Sequence, residues 1–125
     1  ENRMNIFLDL HNPAPGNKVQ TMYVLDKSYM GKEAFPRQER FVELMIEKFG
    51  GLKQHRNDPK PAVATPEEFV SEVWVLENAN PNTIGFCVET PWNSEKSTTE
   101  GYRSVGQSLG QVIERLLQEE GINCK

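Results

Sequence analysis

Two short apolar runs, each ended by a polar residue and then a proline, constrain this chain more than anything else in it. The first is Asn5-Ile6-Phe7-Leu8-Asp9-Leu10-His11, followed by Asn12-Pro13. The second is Thr83-Ile84-Gly85-Phe86-Cys87-Val88-Glu89, followed by Thr90-Pro91-Trp92-Asn93. Each is too short for a stable helix and is bounded by turn residues, so each reads as a buried strand. Proline restricts the residue before it and cannot donate to a ladder, so both strands turn where their polar residue emerges. In α/β proteins ligands bind beyond the carboxyl ends of such strands.

The remaining chain supplies helices and one more strand. Asn12 to Lys18 is a loop rich in proline and glycine, and Val19 to Leu25 resumes as a strand in which Thr21, Tyr23 and Val24 suit a pleated surface. Pro36 opens a helix through Phe49 with Phe41, Val42, Met45, Ile46 and Phe49 on one face, ended by Gly50-Gly51. Leu52 to Ala64 is polar and without periodicity, and reads as a surface loop. Thr65-Pro66-Glu67-Glu68 has the pattern of a capping box, after which Phe69, Val73, Leu76 and Val70, Trp74 fit two helical rows. The run Val73-Trp74-Val75-Leu76 fits a strand as well. The last helix runs from Thr98 to Glu119, with Tyr102, Val105, Leu109, Val112, Ile113, Leu116 and Leu117 on a stripe where Gly106 and Gly110 suggest close packing on a sheet.

The order β-β-α-α-β-α predicts an α/β fold, part of a mixed, mostly parallel sheet flanked by helices. A sheet whose strands are buried on both faces needs more helices than this, so the chain reads as half of a fold, one incomplete domain spanning residues 1–125. Net charge is −4 and the best basic stretch, Lys53 to Lys60, is broken by Asp58, which argues against nucleic acid as a partner. No apolar run approaches the roughly 20 residues of a membrane span. Cys87 lies mid-strand and Cys124 at the C-terminus, so two free thiols are expected, a pattern compatible with any compartment.

Taken singly, the strand-end residues have plain structural explanations. A histidine at a strand end is commonly a hydrogen-bonded residue, and a glutamate there commonly pairs with an arginine or lysine. Yet imidazole is a zinc ligand, and a carboxylate beside zinc can act as a base. The combination decides: Asp-Leu-His closing one apolar strand, Glu closing a later one, and an amphipathic helix after it resemble the C-terminal half of the zinc carboxypeptidases of carboxypeptidase A type. Asn12-Pro13 and Thr90-Pro91-Trp92-Asn93 look like a bacterial branch of that family. The resemblance covers residues 4 to 119.

The resemblance implies zinc as cofactor, His11 as the third zinc ligand, Glu89 as the general base, and a peptide as substrate. It equally fits a zinc-dependent amide hydrolase of N-acyl amino acids; a parent without the other ligands would instead be a domain that binds protein or glycan. Asp9, two residues before His11, is a weaker candidate for supporting the histidine from its far side. The family's first two ligands, in a His-x-x-Glu motif, and its residues for the substrate carboxylate belong upstream of this chain. The family's tyrosine has no match between Pro59 and Asn82. His55-Arg56-Asn57-Asp58 has ligand spacing but lies downstream, and His55 reads as a surface histidine. Tyr102 reads as a packing residue, and Cys87 as a small core residue whose side chain could approach the site. With one ligand, the chain alone is expected to hold far less than one zinc, to be inactive, and to dimerise or associate with its missing half.

Overall fold

The structure is a computed structural model and describes residues 6–25, 27–50, 53–57 and 71–122. Its elements are β1 (Ile6–His11), β2 (Thr21–Leu25), a 3₁₀ turn (Lys27–Tyr29), α1 (Ala34–Phe49), β3 (Lys53–Asn57), α2 (Ser71–Asn78), β4 (Ile84–Glu89) and α3 (Thr99–Glu119). The four strands form one mixed sheet in the order β1-β4-β2-β3. β1 runs parallel to β4 and β2 parallel to β3, while β2 and β4 are antiparallel, so two strands run each way.

The α/β class and the mixed sheet agree with the sequence, but β3 is an addition. Lys53–Asn57, expected to be loop, pairs in register with all of β2, from Thr21 opposite Lys53 to Leu25 opposite Asn57. Its residues carry no apolar period because it is an edge strand among the described elements, and natural edges are commonly charged. The element order is therefore β-β-α-β-α-β-α, and His55 stands in a strand, opposite Tyr23, rather than in a loop. The expected cap at Thr65–Glu68, with Phe69 and Val70, and the C-terminal Cys124 lie outside the described residues. The ambiguous run Val73–Leu76 is helical, within α2, and Trp74 on it is exposed.

Period-two alternation divides the sheet into two faces. Met22 and Val24 of β2, with Ile84, Phe86 and Val88 of β4, are fully buried against α1 and α3, and Ile6 and Leu8 of β1 pack on the margin of that core. From α1 the core receives Ala34, Phe41, Val42, Leu44 and Met45, and from α3 Leu109, Val112 and Leu116. Phe41 stacks on Phe86 with ring centroids 4.4 Å apart. Ile46, expected on the core face, is 41% exposed, since the helix turns Leu44 inward instead. β1 is half-buried rather than fully buried: it lies at the other edge of the described sheet, and Leu10 is 65% exposed.

The helix ends follow their local chemistry. α1 begins two residues before Pro36, and a proline in the first turn costs no hydrogen bond because those N–H groups have no helical partner. It ends at Gly50, whose φ of 63° is left-handed and favours glycine. Thr98 caps α3 by accepting from the Gly101 N–H at 3.0 Å. A side chain at Gly101 would collide with the Lys96 carbonyl oxygen, so the turn entering α3 requires glycine. Gly106 and Gly110 face solvent rather than the sheet: both are exposed and nothing lies within 4 Å of where a Cβ would stand. No helix among the described residues is long and apolar enough to cross a membrane.

Candidate metal and acid–base site

The second sheet face carries the polar residues. Strand geometry puts Asp9 and His11 on the same side of β1, and Cys87 and Glu89 on the same side of β4. The parallel register then sets Asp9 opposite Cys87 and His11 opposite Glu89. The two strand ends flagged by the sequence are thus nearest neighbours at one end of the sheet. Cys87 does not join the apolar core, because alternation turns it away from Phe86 and Val88.

His11 is held by two neighbours. Its Nδ1 lies 2.7 Å from Asp9 Oδ1 and 3.9 Å from Cys87 Sγ. The Asp9 carboxylate also accepts a hydrogen bond from the Ser71 hydroxyl, which places the start of α2 on this face. Carboxylate support of an imidazole nitrogen fixes the ring's tautomer and orientation, the role expected of Asp9. His11 itself is 60% exposed, so its ring meets solvent.

β2 contributes a residue that the sequence did not flag. The antiparallel pairing sets Tyr23 opposite Cys87 and Thr21 opposite Glu89, so the Tyr23 side chain lies diagonal to Glu89 on the same face. Its hydroxyl hydrogen-bonds to the Glu89 carboxylate. Burial above all, then the charges of Glu89 and Cys87 and that hydrogen bond, raise the Tyr23 pKa above its ordinary value. The available signal was alternation: Tyr23 sits between the core residues Met22 and Val24, as Asp9 and Cys87 sit between apolar neighbours. Tyr102, expected to pack in the core, is instead 39% exposed and donates its hydroxyl to the Pro91 carbonyl at 3.2 Å.

The loops leaving β1 and β4 are tied together, which rigidifies the site's exit end. The Thr90 N–H donates to the His11 carbonyl at 2.9 Å, continuing the ladder one residue past the strands. Asn12 Nδ2 donates to the Thr90 carbonyl at 2.9 Å, and Trp92 Nε1 to the carbonyl of buried Pro13 at 2.9 Å. Asn93 Nδ2 donates to the Pro15 carbonyl. The two proline turns following His11 and Glu89 therefore form one cross-linked surface. A cleft of about 630 Å³ opens on the other side of Thr90 and Pro91, toward α3, and none of Asp9, His11, Cys87 or Glu89 lines it.

One ligand atom from each of Asp9, His11 and Cys87 lies within 4.8 Å of the others. Imidazole nitrogen, carboxylate oxygen and thiolate sulfur are the three donor types that zinc accepts. The three residues thus offer a donor set that could hold a metal ion, with the Glu89 carboxylate and the Tyr23 hydroxyl on the same face. Compared with protein families, with curated proteins and with solved structures, the chain matches none.

Proposed function

We propose that this chain carries part of the catalytic centre of a zinc-dependent hydrolase of metallocarboxypeptidase type, acting on peptide or amide bonds, with His11 as a zinc ligand and Glu89 as the general base. One observation carries the reading: His11 and Glu89 end adjacent parallel strands in register. A ligand and a base must share one small volume, and the register brings these two to the same end and face of the sheet. On the same reading, β1, β4 and β2 belong to a zinc-carboxypeptidase-like sheet, and the exposed margin of β1 is where the remaining strands, or a second copy, would add.

When bound, zinc supplies Lewis acidity, polarising the scissile carbonyl and making water acidic enough to attack near neutral pH. Glu89 takes one proton from the attacking water as its oxygen bonds to the carbonyl carbon. It then delivers that proton to the leaving nitrogen as the C–N bond breaks. Tyr23 holds Glu89 in place by its hydrogen bond, and before metal binds Asp9 holds the His11 ring. The tied proline turns keep both strand exits at fixed separation during the cycle.

The experiment is paired substitution in the protein that contains this chain. Glu89→Gln keeps shape but removes the base, so kcat should fall ~10²–10⁴-fold with bound zinc unchanged. His11→Ala should instead lower zinc content. Hydrolysis left intact by Glu89→Gln would overturn the reading.

A further inference from the structure

The sequence alone credits this chain with a single metal ligand, but the structure surrounds that ligand with two more of the right kind. We propose that Asp9, His11 and Cys87 form a thiolate-containing site for a divalent transition-metal ion, with three protein ligands drawn from this chain alone. The inference rests on the preceding reading only in taking His11 as a ligand. It adds Asp9 and Cys87, and it needs no upstream motif.

The backbone sets the site up. Asp9 and Cys87 are register partners on adjacent parallel strands, so their side chains rise together from the same face. His11, two residues beyond Asp9, folds its ring back over them, with Nδ1 2.7 Å from Asp9 Oδ1 and 3.9 Å from Cys87 Sγ. Around tetrahedral zinc, with bonds of ~2.1 Å to nitrogen and oxygen and ~2.3 Å to sulfur, those separations become ~3.4 Å and ~3.6 Å. The first distance must open by ~0.7 Å and the second close by ~0.3 Å, given those bond lengths. A ring that is 60% exposed can make that adjustment without disturbing the core, which lies on the other face of the sheet.

The donor set also selects the ion. A thiolate and an imidazole favour zinc or cobalt, whereas magnesium and calcium take oxygen ligands almost exclusively. The two anionic ligands neutralise a divalent charge, which offsets the cost of placing it against the sheet. Three protein ligands leave one tetrahedral position for water or a substrate oxygen, as in catalytic rather than structural zinc sites. Glu89 stands opposite His11 on the same face, and Tyr23 opposite Cys87.

Cobalt(II) is the probe. In a Cys124→Ser background Cys87 is the single thiol, since the chain has two cysteines. Titration with cobalt(II) should raise a near-ultraviolet thiolate-to-metal charge-transfer band that saturates at one equivalent. Zinc should abolish the band by displacement, and should slow alkylation of Cys87 by iodoacetamide at least ~10-fold. Losing even a group that supports a metal ligand costs 10–100-fold in affinity, so removing a ligand itself, by Asp9→Ala or His11→Ala, should weaken cobalt binding by at least ~10-fold. Cys87→Ser should remove the band, with circular dichroism confirming that each variant is folded. No charge-transfer band together with no zinc protection of Cys87 overturns the proposal, and that pair of measurements needs no variant of the site itself. Metal bound equally well by Cys87→Ser overturns it too, while leaving the His11 and Glu89 reading standing. A cobalt band in a protein whose hydrolysis ignores Glu89→Gln supports the metal site and removes the hydrolase.

Discussion

Asp9 Oδ1 lies 2.7 Å from His11 Nδ1, two residues along the same edge strand. The pairing is a consequence of strand period: residues two apart are the nearest that share a face, and Asp-Leu-His is the shortest sequence that puts a carboxylate beside an imidazole in this way. The other Asp9 oxygen accepts from Ser71 at the first turn of α2. The carboxylate therefore joins the edge strand, the histidine and a helix. Ser71→Ala should remove one charge-assisted hydrogen bond and loosen the start of α2, at a cost of about 1.5–3 kcal/mol. Hydrogen exchange is the measurement: amides in α2 should exchange faster while those of α1 and α3 stay as they were. Unchanged exchange across α2 would mean that the helix is held by its packing on β4 and β1 alone.

Tyr23 gives the site a spectroscopic reporter. Its folded-state pKa is raised above the ordinary value of 10.0, by burial first and then by the charges of Glu89 and Cys87 and the hydrogen bond to Glu89. A raised pKa in the folded state means that the native protein binds the proton more tightly than the unfolded chain does. That contribution to stability is full below pH 10.0 and is lost as pH rises through the folded-state value. In an ultraviolet titration, Tyr23→Phe should delete a tyrosine transition lying above the ordinary range. Glu89→Gln should move that transition down without returning it to 10.0, because burial remains.

Acid should loosen the packing of α1 on α3 late. Arg40 grips Glu119 through Nε and Nη2 of its guanidinium, at 2.7 and 2.9 Å, and Arg115 bonds both Glu119 and Glu47. The Arg40 hydrogen bond is the main reason that the Glu119 carboxyl is lowered from 4.5 to about 2. A depressed carboxylate pKa gives stability that is present above pH 4.5 and is lost as pH falls toward 2. The groups are exposed, so salt should weaken the effect. Glu119→Gln should therefore be less stable than the parent chain above pH 4.5, with the gap closing as pH approaches 2 and shrinking in high salt.

The elements that could be read from the sequence are those whose side chains determine them. β4 declares itself by a continuous apolar run, α3 by its stripe, and both turns by proline. Lys53–Asn57 could not be read in this way, because its sequence carries no apolar period and its place is given by backbone pairing to β2. The glycines of α3 misled for a related reason: spacing places Gly106 and Gly110 on one line, but only the packed structure shows that this line faces water. At the site, His11 and Glu89 were visible as strand ends. Tyr23 was not, and Cys87 passed for a core residue, since their meaning depends on which strands are neighbours and in which direction they run.

The division of the sheet into a core face and a polar face has a direct consequence for mutation. Phe41 of α1 and Phe86 of β4 are both fully buried and stack with centroids 4.4 Å apart and planes 19° from parallel. Removing the Phe41 ring leaves a cavity that the sheet cannot close, and such phenylalanine-to-alanine changes cost about 3–5 kcal/mol. Domains are stable by only about 5–15 kcal/mol, so Phe41→Ala should lower the urea midpoint sharply at nearly constant slope. Phe41→Leu, which refills most of the volume, should lose far less. Phe86 is a poorer choice for the experiment because it adjoins Cys87, whereas Phe41 reaches the core from the opposite layer. Phe41→Ala at low temperature and without denaturant should therefore keep the Tyr23 titration seen in the parent chain. A variant that lost that transition while still folded would show that the two faces of the sheet are coupled through β4, and the site would then depend on the core for its geometry.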